Sequence, residues 1–307
     1  MRIVFMGTPA FAVPTLKKLH ESSYDVVGVI TSTDKYGGRG GKKLLVSEVK
    51  KYALEHNIPI LQPKNLKAPS FIEELSAWQA DIQVVVAFRM LPVVVWDMPP
   101  MGTINLHGSL LPAYRGAAPI NWAVINGETT TGVTSFKLKH EIDTGDLILQ
   151  KEIAITPDDT AGSLHDKMMY LAADTVLETV DMLNSGDVVF HPQDESKVSK
   201  APKIFRDDCA IDFSQDITSI KNFVRGLAPY PGAFTQVLGT EVKVYNVTGE
   251  ACAHNAPIGT VVTDNKNYLK IFCRDGLLSL EDVKFHGKKR MNIKDYLNGN
   301  PISLTLD

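Results

Sequence analysis

The alternation of short apolar runs with amphipathic helical stretches constrains the fold of this chain most. Residues 2–6, 26–30, 82–87 and 104–106 are rich in Val and Ile and are bounded by Gly, Pro or polar residues, as is typical of strands buried on both faces. Residues 14–20, 46–56 and 71–78 lie between them and carry apolar residues at helical spacing. This β–α alternation predicts an α/β fold with a doubly wound, largely parallel sheet.

The last third of the chain has a different pattern. A long helical stretch at 161–183 is followed by residues 190–208, which lose periodicity and mix prolines, serines and charges of both signs. An amphipathic helix at 217–227 then precedes short alternating runs with the spacing of a small β-barrel. We therefore predict a domain at 1–189, a linker at 190–208 and an OB-like β-barrel domain at 209–307.

Composition narrows the class of protein. The 307 residues include 44% hydrophobic and 22% charged residues, which is ordinary for a two-domain globular enzyme. No apolar run has the length of a signal peptide core or a membrane span, and three widely spaced cysteines suggest neither a disulfide framework nor a zinc site. We expect a cytoplasmic protein with no membrane contact. The net charge of −3 argues against coating of nucleic acid by bulk electrostatics, although a local basic patch remains compatible with it.

Polar residues follow one of the predicted buried strands. Asn105 and His107 are two residues apart, so they share one face of an extended segment, at the strand end where open α/β sheets bind ligands. Asp143 lies in a second polar cluster, between two further strand-like runs, from which it can reach His107. An amide donor, an imidazole and a carboxylate suit acylation of an amine, which needs donors for a developing oxyanion and a group that lets the amine lose its proton.

Other interpretations of these residues stay open at this point. His107 is equally compatible with a hydrogen-bonded structural histidine, Asn105 with a cap and Asp143 with a turn residue. An aspartic protease needs a second Asp-Thr-Gly triplet in a β-rich fold, and a metal site formed by His107, His140 and Asp143 has no recognised ligand spacing. The GxGxxG and P-loop patterns are also absent from the sequence, so neither a dinucleotide nor ATP is implied.

A glycine-rich basic segment at 35–51 suggests contact with nucleic acid. It holds six Lys and Arg residues against a single glutamate, and four of its residues are glycine. A solvated connector and an arm that orders on phosphates are both compatible with this composition. A second cluster at 284–290 interleaves Phe285 and His286 with basic residues, and an ordinary charged hairpin explains it at least as well.

Together these motifs resemble those of the methionyl-tRNA formyltransferases along almost the whole chain. The string Asn105-Leu106-His107-Gly108-Ser109-Leu110-Leu111-Pro112, with Asp143-Thr144-Gly145-Asp146 downstream, is similar to the signature of the wider family of formyltransferases that use 10-formyltetrahydrofolate. Gly38-Arg39-Gly40 with Lys42-Lys43 resembles the basic loop of the enzymes that act on tRNA. The resemblance implies a monomeric enzyme without a metal that formylates methionyl-initiator tRNA for translation initiation.

The resemblance also implies roles for individual residues. Asn105, His107 and Asp143 correspond to a catalytic trio. The tetrahydrofolate site would be lined by Ser109, Leu110, Leu111 and Pro112, with the pterin near Phe88, Arg89, Met90, Leu91 and His140. Arg39, Lys42 and Lys43 would contact tRNA. The sequence departs from the family pattern at Arg89, where relatives carry glycine, and by an extra glycine between Arg39 and Lys42.

Two alternatives stay open: an enzyme with the same chemistry but another acceptor, and a non-catalytic protein. Formyltransferases that act on amino sugar nucleotides resemble the first domain, but they do not require a basic glycine-rich arm or an added RNA-facing domain. A non-catalytic RNA-binding protein would use the second domain alone, and the intact trio argues against it. A formyl-transfer assay with both acceptors distinguishes a tRNA enzyme from a sugar-nucleotide enzyme. A folate titration distinguishes an enzyme from a non-catalytic RNA-binding protein.

Overall fold

The computed structural model describes residues 1–37 and 41–302. These residues form two compact units. The first unit comprises 1–116, 131–153 and 165–200, and the second comprises 117–130, 154–164 and the chain from 201 onward. The two units are therefore interleaved in sequence, and the boundaries predicted at 189 and 209 stay predictions.

The described residues contain the following secondary structure. The strands are β1 (Arg2–Gly7), β2 (Asp25–Ile30), β3 (Lys35–Gly37), β4 (Lys43–Leu45), β5 (Ile60–Leu61), β6 (Ile82–Val86), β7 (Thr103–His107), β8 (Arg115–Gly116), β9 (Thr130–Lys137), β10 (Leu147–Ala154), β11 (Lys200–Ala201), β12 (Ala233–Val237), β13 (Thr240–Ala251), β14 (Val261–Thr263), β15 (Leu269–Cys273), β16 (Gly276–Phe285) and β17 (Met291–Asn292). The α-helices are α1 (Val13–His20), α2 (Glu48–Glu55), α3 (Pro69–Ala77), α4 (Val93–Trp96), α5 (Pro119–Ile125), α6 (Ala161–Ser185), α7 (Ile217–Leu227) and α8 (Ile293–Leu297).

A mixed sheet in the order β10-β9-β7-β6-β1-β2-β5 forms the centre of the first unit. The β1 strand is parallel to β2 and β6, and β6 is parallel to β7, whereas β9 runs antiparallel to β7. All five residues of β6 are buried, which explains its continuous apolar sequence. The predicted α/β class with a largely parallel sheet is confirmed, and the sheet has an antiparallel margin beyond β7.

Local side chains define several helix starts. Ser47 accepts a hydrogen bond from the Lys50 amide at 3.1 Å and so caps α2. Thr160 and Ser163 exchange backbone-to-side-chain bonds of 3.0 and 3.1 Å at the start of α6. Gly186, with φ of +83°, follows the last residue of that helix.

The β-sheet of the second unit is antiparallel. Its order is β12-β13-β16-β15-β14, with β17 paired to β16. Alternate residues of β15 and β16 are buried and pack with α7, whose N-terminus is capped by Asp216. The sheet of the described residues curls into a half-barrel, in which β12 and β14 form the two edges.

The basic glycine-rich segment contains regular structure on both flanks. The β3 and β4 strands pair antiparallel, with Tyr36 opposite Leu44 and Lys35 opposite Leu45. Cross-strand pairing supplies backbone partners that glycine content alone does not reveal. The expectation of an unstructured segment is therefore wrong for its ends, while Gly38, Arg39 and Gly40 lie outside the described residues.

Candidate active site

The β7 strand carries two of the three predicted catalytic residues. His107 is 7% exposed, and Asn105 is half-buried on the same face of the strand. Within residues 1–37 and 41–302, the Asn105 amide has no hydrogen-bond partner. A donor that is placed on a rigid strand and has no partner among the described residues is free to bind an oxygen atom of a ligand.

A backbone carbonyl fixes the orientation of His107. The Nε2 atom lies 2.8 Å from the carbonyl oxygen of Tyr114. Because a carbonyl oxygen only accepts, Nε2 carries a proton and donates it. The other ring nitrogen, Nδ1, faces the Oδ2 atom of Asp143 at 3.7 Å. The Tyr114 contact could not be predicted from the sequence, because a backbone carbonyl has no residue signature.

Asp143 lies in a tightly held turn. Its φ of +56° is in the left-handed region, and the residue is 8% exposed. Oδ2 accepts a hydrogen bond of 3.1 Å from the Gly116 amide, and the amide of the Gln193 side chain donates to the Asp143 carbonyl at 2.8 Å. The structure thus brings together His107 and Asp143, which are 36 positions apart in sequence.

Thr134 holds the loop at 109–112, which is predicted to line the tetrahydrofolate site. The Thr134 hydroxyl donates to the Ser109 carbonyl at 2.7 Å and accepts from the Leu111 amide at 3.0 Å. Gln150 donates to Thr134 and to the Leu111 carbonyl. Ser109 is fully buried and bonds the Ala113 carbonyl, so its side chain shapes the loop rather than facing a ligand.

The residues predicted near the pterin differ in exposure. Leu91 is buried, Phe88 is half-buried, and Met90 is 66% exposed. The Arg89 guanidinium donates to the carbonyls of Pro63 and Lys64 and lies 5.7 Å from the Phe88 ring centre.

These contacts explain how a bulky arginine is accommodated after β6. Its charge is directed to carbonyl oxygens of a neighbouring segment. His140 is exposed, in the turn that leads to Asp143.

Charged groups around the trio form a small network. Arg115 binds Gln193 through Nε and Nη2, at 3.1 and 2.7 Å, and pairs with Glu195 at 2.8 Å. Hydrogen bonds from Arg115 lower the pKa of Glu195 below its ordinary value. Within the described residues, no group of three or more His, Cys, Asp or Glu side chains is arranged to hold a metal ion.

Two lysines of the predicted RNA-binding set are described by the structure. Lys42 and Lys43 are exposed, beside and within β4. Arg39 lies outside the described residues. In the cluster at 284–290, Phe285 is buried and stacks on Tyr296 at 3.6 Å, and Arg290 pairs with Asp282. That geometry fits the charged-hairpin interpretation.

A separate surface cavity of about 410 Å³ lies within the second unit. Tyr230 and Phe205 line it and are 83% and 61% exposed. Lys203, Arg206 and Lys243 also line it, and the Lys203 ammonium lies 5.3 Å from the Phe205 ring centre. Exposed aromatic faces beside cations suit base stacking next to phosphates. The cluster is not evident from the sequence, because its members are dispersed over 203–243.

The contacts of Thr134 generate a testable prediction. Thr134→Val keeps the side-chain shape but leaves the buried Leu111 amide and Ser109 carbonyl without this partner. We expect a loss of about 1–3 kcal/mol in the free energy of unfolding and weaker tetrahydrofolate binding. Urea denaturation and a tetrahydrofolate titration measure the two effects.

Thr15→Val is the matched control, since the buried Thr15 hydroxyl has no partner in the described residues. It should not lower the free energy of unfolding, because it removes a buried hydroxyl that has no partner among the described residues, and it should leave tetrahydrofolate binding unchanged. Unaltered folate binding in Thr134→Val would show that the loop does not need this hydroxyl.

Solved structures share the fold. HypX from Aquifex aeolicus, in complex with tetrahydrofolic acid, superposes with a TM-score of 0.63 at 20% identity, over 97% of this chain and 47% of that one. An N-formyltransferase from Helicobacter canadensis, in complex with folinic acid and dTDP-3-aminofucose, gives 0.62 at 18% identity, over 94% and 99%. None of the described helices has the length and apolar character needed to cross a bilayer.

Sequence relatives give the family. Residues 1–180 match the formyl transferase family model, and residues 203–301 match the model of the formyl transferase C-terminal domain. A methionyl-tRNA formyltransferase from Flavobacterium johnsoniae is 48% identical over 97% of this chain and 96% of its own length. One from Parabacteroides distasonis is 51% identical over 97% of this chain and 95% of its own length. The chain therefore belongs to the methionyl-tRNA formyltransferase family.

Proposed function

We propose that this chain moves the formyl group of 10-formyltetrahydrofolate to the amino group of methionine carried on initiator tRNA. The observation that carries the proposal is the arrangement on β7. The Asn105 amide, which has no hydrogen-bond partner within residues 1–37 and 41–302, shares a face with the buried His107, whose Nδ1 faces Asp143 at 3.7 Å. We also propose that the protein acts as a monomer in the cytoplasm.

The residues near the site fit a folate. The loop at 109–112 is fixed by Thr134 and Gln150, so its backbone is preorganised for a ligand. The half-buried Phe88 and the exposed Met90 offer apolar surface after β6, at the edge where open α/β sheets bind ligands. When bound, the folate supplies the formyl carbon, and Ser109, Leu110, Leu111 and Pro112 together with 88–91 and His140 form its site.

Asn105 stabilises the charge that develops on the formyl oxygen. Its amide nitrogen has two donor hydrogens, and no described residue accepts either of them. A donor already in place when the amine attacks needs no reorganisation, which is why such groups contribute strongly to rate. Within the trio, the His107 Nε2 proton is bound to the Tyr114 carbonyl, whereas the Asn105 amide hydrogens have no acceptor among the described residues.

The hydrogen bond from Nε2 to the Tyr114 carbonyl holds the His107 ring in one orientation. The ring lies beside the Asp143 carboxylate, and we assign it, with Asn105, to the stabilisation of the developing oxyanion. Asp143 orients this ring, and its carboxylate takes the proton that the methionyl amine loses when it attacks the formyl carbon. The bond between that carbon and the folate nitrogen then breaks, and this nitrogen takes up the proton as tetrahydrofolate leaves. The Gly116 amide keeps Oδ2 in position for this transfer.

Features outside the trio favour an RNA acceptor over a sugar nucleotide. Lys42 and Lys43 project from the β3–β4 hairpin as exposed cations for phosphates. In the second unit, Tyr230 and Phe205 offer exposed rings beside Lys203. Rings that stack on bases and cations that bind phosphates recognise single-stranded RNA ends. We propose that each of these surfaces, taken by itself, contacts RNA.

The acceptor is tested by offering Met-tRNA, free methionine and an amino sugar nucleotide side by side with 10-formyltetrahydrofolate. We expect formylation of Met-tRNA alone, because free methionine lacks the RNA contacts and the sugar nucleotide does not use the basic hairpin. The measurement is radiolabelled formyl transfer to each acceptor. Transfer to the sugar nucleotide alone would refute the proposed substrate.

Asn105→Ala should lower the rate of formyl transfer in a single turnover by about 10²–10³, the usual effect of losing one oxyanion donor. The dissociation constants of tetrahydrofolate and Met-tRNA should stay unchanged, since the amide acts on charge that develops during reaction. Rapid-quench measurements and titrations separate the two effects. A rate near that of the wild type would remove Asn105 from its assigned role.

Lys42→Ala and Lys43→Ala should each reduce the salt dependence of tRNA binding by roughly one unit of slope for every phosphate that the variant no longer neutralises. Arg39→Ala should impair Met-tRNA use more, because its guanidinium offers a fixed fork of donors. Tetrahydrofolate affinity should not change. Lys17→Ala is the matched control, because Lys17 is an exposed lysine of α1 that pairs with Glu21. An unchanged slope in both hairpin variants would contradict the assignment of these lysines to tRNA phosphates.

A further inference from the structure

The side chain of Gln193 bridges the catalytic turn to Arg115. Its amide nitrogen donates to the carbonyls of Asp143 and Gly145, each at 2.8 Å. Its carbonyl oxygen accepts from Arg115 Nε at 3.1 Å and from Nη2 at 2.7 Å. All its polar atoms are used at once, which fixes the side-chain amide in one orientation.

The same short segment also holds the carboxylate of Asp143. Arg115 anchors Gln193, and the next residue, Gly116, donates its amide to Asp143 Oδ2 at 3.1 Å. Asp143 is therefore held at its backbone carbonyl and at its carboxylate. The Arg115 side chain is 12% exposed, so these bonds lie largely out of water, where they are stronger.

Strand pairing alone does not bring Asp143 to His107. In the β7–β9 register, His107 lies opposite Thr134, while Lys137, the last residue of β9, lies opposite Ile104. The chain must return toward His107 through a turn in which Asp143 has a φ of +56°. Such a conformation is unfavourable for a residue with a side chain and persists only when its surroundings hold it.

We propose that Gln193 is a positioning residue for formyl transfer: by holding the turn at 143–145 it keeps the Asp143 carboxylate against His107. This inference rests on the proposed role of Asp143. A residue in the segment predicted as a linker thereby belongs to the support of the active site. Gln193 itself does not touch the reacting atoms and acts through Asp143.

Two substitutions separate the donor function of Gln193 from its contact with Arg115. Gln193→Glu keeps the shape and still accepts from Arg115, but it has no hydrogen to donate and places a carboxylate oxygen against two carbonyl oxygens. Gln193→Ala removes both contacts. If donation to the turn matters, both variants lower the single-turnover rate, by up to about 100-fold for a misplacement near 1 Å.

The matched control is Glu195→Gln. It breaks the ion pair of Arg115 on its exposed side, where the Glu195 side chain is 71% exposed, and leaves the Gln193 bonds in place. The rate should stay at the wild-type value. Dissociation constants for tetrahydrofolate and Met-tRNA should be unchanged in all three variants, because the turn orients a group that acts in the reaction step.

A double-mutant cycle on the full chain tests whether Gln193 affects the rate through the Asp143 carboxylate. Asp143→Ala removes the carboxylate but keeps the backbone carbonyl that Gln193 binds. In that background, Gln193→Ala should change the single-turnover rate by less than about twofold, although it slows the wild-type chain strongly. A merely structural role of Gln193 would instead slow both backgrounds to the same degree.

The outcomes distinguish this inference from the proposed function. A slow Asp143→Ala with a normal rate in Gln193→Ala and Gln193→Glu overturns the inference alone. Equal slowing in both backgrounds also overturns it. A normal rate in Asp143→Ala overturns the assigned role of Asp143 and the inference together. If neither Gln193 variant folds, as judged by circular dichroism and thermal unfolding, Gln193 is a structural residue and the inference is wrong.

Discussion

The placement of β7 between a parallel and an antiparallel neighbour is the constraint on which the active site depends. Pairing with β6 fixes where β7 ends, and pairing with β9 adds a strand whose following turn carries Asp143. The face of β7 that bears Asn105 and His107 is therefore set by backbone hydrogen bonds, which do not slip without moving every buried side chain to the other face. The two residues become a rigid half of the site before any ligand binds.

The other half of the site is held by polar contacts, and it is the more easily disturbed half. His107 and Asp143 are both largely buried, and buried polar groups are stable only with partners. The Tyr114 carbonyl satisfies one ring nitrogen, and the Gly116 amide satisfies the carboxylate. These contacts leave Nδ1 and the carboxylate facing each other at 3.7 Å.

The two halves of the site together suit the chemistry of a formyltransferase. Members of the methionyl-tRNA formyltransferase family are formyltransferases, and amide formation of this kind needs an oxyanion donor and a proton acceptor rather than a covalent nucleophile. The described part of the chain offers both on one sheet edge. The second unit adds aromatic and cationic surface whose chemistry suits RNA, at Tyr230, Phe205 and Lys203.

The sequence by itself determined the α/β class, the strands around the site, α7 with its stated bounds, the family and the candidate trio, because periodicity and short motifs are local properties. It did not determine the β3–β4 pairing or the supporting residues Tyr114, Thr134 and Gln193. Those contacts join positions tens of residues apart, or use backbone carbonyls, and neither leaves a local signature. Only the tertiary structure decided that Gln193, in a stretch without periodicity, lies against the turn of Asp143.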